Sequence, residues 1–172
     1  MLTPRNIFLV GPMGAGKSTV GRQLSKALRK RFIDSDKAIE ERTGASISLI
    51  FDLEGEAGFR RREQTILDEL TALDEIVLAT GGGAVLNENN RANLMSRGFV
   101  VYLQAPVDLL VERTSRDRAR PLLQTDDTHA RVTELLTERD PIYRQVADTI
   151  VQTDRRSARH VVREIQIRLE EL

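Results

Sequence analysis

The 172-residue chain reads as an α/β protein in which a parallel sheet carries helices on both faces. Three observations predict this class. Short apolar runs alternate with longer stretches of helical period. The first run feeds a glycine-rich loop that opens a helix. The length suits one domain, residues 1–172, with a continuous core.

Apolar runs at 7–10, 32–33, 76–79, 99–103 and 149–151 predict buried strands, because parallel strands covered on both faces are almost continuously apolar. Helical patterns occupy 18–30, 56–73, 88–97, 107–116, 128–146 and 158–169, with a short helix over 37–42. No internal repeat, low-complexity tract or linker interrupts them. The most loop-like segment is 114–127, which is polar and contains Pro121.

Composition narrows the function classes. With 26 basic and 26 acidic side chains the net charge is zero, so no global field favours nucleic acid or an anionic membrane. The absence of cysteine excludes disulfides and thiolate metal sites. Residues 1–10 lack the apolar core of a signal peptide, and no stretch approaches a membrane span. The expectation is a soluble, cytoplasmic protein with a small-molecule partner.

Gly11-Pro12-Met13-Gly14-Ala15-Gly16-Lys17-Ser18-Thr19 satisfies the phosphate-loop pattern of Gly, four residues, then Gly-Lys-Ser/Thr. A strand precedes it and a helix follows, so backbone amides of Gly14 to Thr19 can converge on phosphate oxygens at a helix N-terminus. Lys17 can reach the β- and γ-phosphates, and the Ser18 hydroxyl can join a Mg²⁺ shell. These features predict ATP and Mg²⁺ as cofactors.

Many such proteins place an aspartate at the end of a second core strand to order the metal's waters. Here the strand at 76–79 runs through Thr80 into Gly81-Gly82-Gly83, so the acid must come from elsewhere. Phe32-Ile33-Asp34-Ser35-Asp36 is the candidate. If that segment is extended, Asp34 and Asp36 project from one face, Asp34 toward the metal and Asp36 toward an acceptor hydroxyl. Asp36 equally suits the start of helix 37–42, where an acid complements the dipole. The triple glycine is either a flexible strand end or a place of close backbone approach to a ligand.

Arginine supplies the anion readers. Arg60 precedes Glu63 by three residues on one helix face, and Arg139 lies in Glu138-Arg139-Asp140-Pro141-Ile142-Tyr143. A lone helix arginine is usually solvated, yet its planar fork is also the preferred bidentate partner of a carboxylate. Arg113, Arg116, Arg118 and Arg120 fall within eight residues and would repel one another unless solvated or facing an anion such as ATP phosphates. His129 and His160 have no metal-ligand spacing and read as surface residues.

Taken in order, the phosphate loop at 11–19, Asp34-Ser35-Asp36, Thr43-Gly44, Phe59-Arg60, Gly81 to Gly83, Arg120-Pro121-Leu122-Leu123 and Arg139-x-Pro141-x-Tyr143 resemble the shikimate kinase family, from Asn6 almost to the C-terminus. The resemblance implies a nucleoside-monophosphate-kinase-like fold with a five-stranded parallel sheet. It also implies a substrate region near 35–63, a mobile lid near 114–127 and a monomer. The implied reaction phosphorylates the 3-hydroxyl of shikimate from Mg·ATP, on the route to chorismate and the aromatic amino acids.

Position by position, the resemblance gives Lys17 and Ser18 to ATP and Mg²⁺, Asp34 to the metal and Asp36 to the substrate hydroxyls. Arg60 and Arg139 would hold its carboxylate, Glu63 orienting Arg60. The Gly82 and Gly83 backbone, Phe51 and Phe59 would line the pocket. Arg113 would lie against adenine, and Arg120 would reach the transferring phosphoryl group. Many members carry Asn-Pro near the adenine where this chain has Ser157-Ala158. Two other readings share part of the pattern: a gluconate-type kinase, and a noncatalytic nucleotide sensor that binds a protein. The paired arginines and triple glycine argue against the first, and the intact Lys17, Ser18, Asp34, Asp36 and lid arginine against the second.

Overall fold

The computed structural model describes residues 3–115 and 127–172. Among them are five strands: β1 (Ile7–Val10), β2 (Arg31–Asp34), β3 (Ile76–Ala79), β4 (Phe99–Gln104) and β5 (Thr149–Gln152). All pair in parallel, in the order β2-β3-β1-β4-β5. The helices are α1 (Lys17–Leu28), α2 (Ser35–Thr43), α3 (Ile47–Thr71), α4 (Glu88–Arg97), α5 (Val107–Thr114), α6 (Thr128–Val146) and α7 (Ala158–Glu170). A short 3-10 turn covers Ala84–Leu86.

Period-two alternation divides the core into two layers. Ile7 and Leu9 of β1, with Val101 and Leu103 of β4, face a layer that contains Val20 and Leu24 of α1 and Val161 and Ile165 of α7. Phe8, Val10, Val100 and Tyr102 point the other way, to Ile66 and Leu67 of α3 and Leu94 of α4. Central β1 is buried at every residue, whereas edge strand β2 leaves Arg31 exposed. The predicted strands form within two residues of their expected ends.

Two features position the site. The order places β1 at the sheet's switch point, where the chain turns to opposite sides and ligands bind beyond the strand ends. Helix α6 contributes Val132 and Leu135 to one layer and Tyr143 and Val146 to the other. Arg139 lies between those pairs in sequence, where α6 passes from one layer to the other.

Helix α3 is broken at Gly55, whose φ of 71° and ψ of −179° are not helical. The sequence pattern located the part after this break, at 56–73. It did not reveal the preceding turns from Ile47, which Ser46 caps through the Leu49 amide.

Candidate active site

The loop after β1 enters α1 at Gly16, which has φ 92° and caps the helix without any side-chain hydrogen bond. The first amides of α1 are thus left to an external acceptor. Lys17 is buried, and its ammonium donates to the Gly11 and Pro12 carbonyls at 2.6 and 2.8 Å. Arg113 of α5 donates to the Gly14 carbonyl at 2.9 Å and so lies against the same loop.

The Asp34-Ser35-Asp36 segment is not extended throughout. Asp34 ends β2 and caps α2, with Oδ1 accepting from the amides of Asp36 and Lys37 at 3.0 and 3.2 Å. The cap of α2 is therefore Asp34, while Asp36 keeps the place weighed for it, an acid in the first turn of the helix. Its other oxygen, Oδ2, accepts from Ser18 Oγ at 2.6 Å and ties α1 to α2. Ser35 is fully buried and accepts the Gly81 amide at 3.1 Å. Asp36 lies in the first turn of α2, near the glycine segment: a Cβ on Gly81 would stand 2.8 Å from Asp36 Oδ1 and 3.1 Å from Glu63 Oε2.

The arginines of the opposite wall are not solvated surface groups. Arg139 is 4% exposed and Glu63 1%, with Glu63 Oε1 accepting from Arg60 Nη1 at 2.9 Å. Burial pushes the Glu63 carboxyl above its ordinary range; Arg60 opposes this, Asp36 adds to it, and Arg139 opposes it. The Arg60 guanidinium lies so close to Gly83 that a Cβ there would sit 2.3 Å from Nη2, so a side chain at this position would displace that guanidinium. Arg60 Nε, Arg139 Nε and Glu63 Oε2 are buried and have no hydrogen-bond partner among the described residues. Such atoms are costly unless a ligand engages them. The Phe51 and Phe59 rings pack at 4.9 Å beside them.

These groups line one cleft of about 830 Å³, which runs from the phosphate loop to the glycine segment. It brings together Gly14, Ala15, Gly16, Lys17, Ser18, Thr19, Asp34, Asp36, Arg60, Gly82, Gly83, Arg113 and Arg139. Ser157 is placed differently: exposed, it caps α7 by accepting the His160 amide, while neighbouring Arg156 and Ala158 line the cleft. Arg116, Arg118 and Arg120, and most of the expected lid, lie outside the described residues.

Sequence reasoning missed Ser35, Tyr143 and Arg156. Ser35 could have been suspected from its place between two acids. Tyr143 carries no local signal beyond its motif, and Arg156 depends on an ion pair with Glu164, eight residues away at 2.6 Å.

Comparison with known proteins points one way. The family model described as shikimate kinase matches residues 13–170. The shikimate kinase of Halorhodospira halophila is 61% identical, over 95% of this chain and 92% of its own. That of Pseudomonas entomophila is 60% identical over 98% of both chains. The solved shikimate kinase of Acinetobacter baumannii, in complex with shikimate, superposes with a TM-score of 0.95 at 50% identity, covering 97% of this chain and 94% of that one.

Proposed function

The chain belongs to the shikimate kinase family, and on that premise we propose that it transfers the γ-phosphoryl group of ATP to the 3-hydroxyl of shikimate. The observation that carries the reading is the pair of arginines, Arg139 buried and Arg60 half-buried, each with a buried Nε donor that has no partner among the described residues, beside the glycine segment and Asp36. A planar carboxylate matches such donors.

In the transfer, the acceptor oxygen forms a bond to Pγ as the bond from Pγ to the β,γ-bridging oxygen breaks. ADP leaves with that electron pair, and Asp36 takes the hydroxyl proton. The loose transition state asks little of a base, so the principal role of Asp36 is to hold the hydroxyl in line. Lys17 carries its charge to the β- and γ-phosphates, and the α1 amides bind their oxygens. Arg113 covers the nucleotide side of the loop.

The Ser18 hydroxyl and Asp34 carboxylate form an oxygen donor pair that fits a hard cation. Bound there with the substrate's phosphates, Mg²⁺ would offset charge on the β- and γ-oxygens. Arg120, assigned on sequence alone, would stabilise the charge of the transferring group, and Ser157 would border the adenine end through Ala158. Among the described residues no helix is long and apolar enough to cross a membrane.

A coupled ADP-release assay tests this reading with shikimate, gluconate and AMP as separate acceptors. Release should depend on shikimate. Equal turnover with gluconate or AMP would overturn the substrate assignment, and no acceptor-dependent release at all would leave only nucleotide binding.

A further inference from the structure

Helix α6 delivers a second group to the site one turn beyond Arg139. Tyr143 is fully buried, and at four residues' separation it shares a helix face with Arg139. Its hydroxyl donates to the carbonyl of Gly82, in the segment that lines the cleft. The Arg139 guanidinium lies near the same hydroxyl, close enough for its charge to act on the phenol. Arg139 Nη1 is also 3.6 Å from the point where a Cβ on Gly82 would stand. Groups from α6 and the glycine segment therefore meet at one phenolic oxygen.

A buried tyrosine hydroxyl needs a partner, and many carbonyls would serve. Here the O–H points at the glycine segment, which leaves the oxygen lone pairs for a cation that faces substrate. Burial pushes the phenol up to about 12, so it remains a donor at neutral pH. An arginine fork fixed before its ligand arrives loses less freedom on binding.

We propose that Tyr143 is a positioning residue of the carboxylate subsite: its hydroxyl fastens the Arg139 fork and the Gly82 carbonyl to each other, setting both walls in one register. The inference rests on reading Arg139 as a carboxylate partner. Neighbouring Tyr102 has no such place. Its ring lies 5.0 Å from that of Tyr143, but its hydroxyl donates to Asp140 at 2.6 Å.

Tyr143→Phe keeps the ring and removes the oxygen. The Kd and KM of shikimate should rise about ten-fold, the loss expected for a hydrogen bond to a charged group, while kcat and the KM of ATP stay within about two-fold. The wild-type preference for shikimate over its carboxamide should shrink by about the same ten-fold factor. General loosening of the core would weaken both ligands alike, and Tyr102→Phe should leave the preference unchanged. A second measurement needs no variant: with ¹³Cζ-labelled tyrosine, the Tyr143 resonance should shift on adding shikimate. An unaltered preference in Tyr143→Phe, or a Tyr143 resonance indifferent to shikimate, overturns the inference and leaves the role of Arg139 standing. A wild type that binds shikimate and its carboxamide equally removes the carboxylate reading, and this inference with it.

Discussion

Ser18 Oγ donates to Asp34 Oδ2 across 2.6 Å, while Oδ1 of the same carboxylate caps α2. One side chain thus serves the phosphate loop and a helix terminus, and the two duties can be separated. Asparagine caps about as well as aspartate, whereas alanine does not. Asp34→Asn should keep its melting temperature but need more Mg²⁺ for half-maximal rate. Asp34→Ala should in addition lose about 0.5–2 kcal/mol of stability. Titration of rate against Mg²⁺, beside thermal melts, checks both; an unchanged Mg²⁺ requirement in Asp34→Asn would remove Asp34 from the metal's surroundings.

Asp36 does not cap α2, so its replacement leaves that helix terminus held by Asp34. Asp36→Asn should lower kcat by about 10²-fold or more while Mg·ATP affinity persists. Single-turnover transfer at saturating substrates is the decisive measurement, and a wild-type rate there would dismiss Asp36 as the group that holds the acceptor.

Arg60 and Arg139 present buried donors to the same wall. Removing either should cost shikimate binding about 2–5 kcal/mol, because a buried charge then loses its partner. ATP affinity should change far less. Calorimetric titration of Arg60→Ala and Arg139→Ala with each ligand separates a carboxylate subsite from a general loss of fold, which would weaken both.

The Glu63 carboxyl is raised by burial above its ordinary range of about 4.3. A raised carboxyl contributes stability that is fully present below the unfolded range and lost as pH rises through the folded value. Wild type should therefore decline relative to Glu63→Gln over that upward interval. Paired melts from acid to neutral pH measure the difference; curves that run parallel throughout would show that Glu63 titrates as an ordinary carboxylate.

What could be read in advance was local. The phosphate loop declares itself within nine consecutive residues, and the strands do so because central parallel strands must be apolar throughout. The roles of Asp34 and Asp36 were harder, since a carboxylate two residues from another can lie on a strand or start a helix, and only the chain's path at Ser35 decides. The arginines were harder still. Arg60 and Arg139 carry the same composition signal as solvated helix residues, and their burial depends on Glu63, the glycine segment and the passage of α6 between layers. Tyr143 resembles any core aromatic until its hydroxyl is seen at Gly82.

The hold of Lys17 on the Gly11 and Pro12 carbonyls bears on which anions the loop admits. Its ammonium is already matched by two short bonds to its own backbone, so an incoming anion must exchange partners with it and cannot simply neutralise a bare charge. A triphosphate chain reaches the α1 amides as well and can complete it. The backbone carbonyls of the loop thereby set part of the cost of admitting any anion to its own lysine.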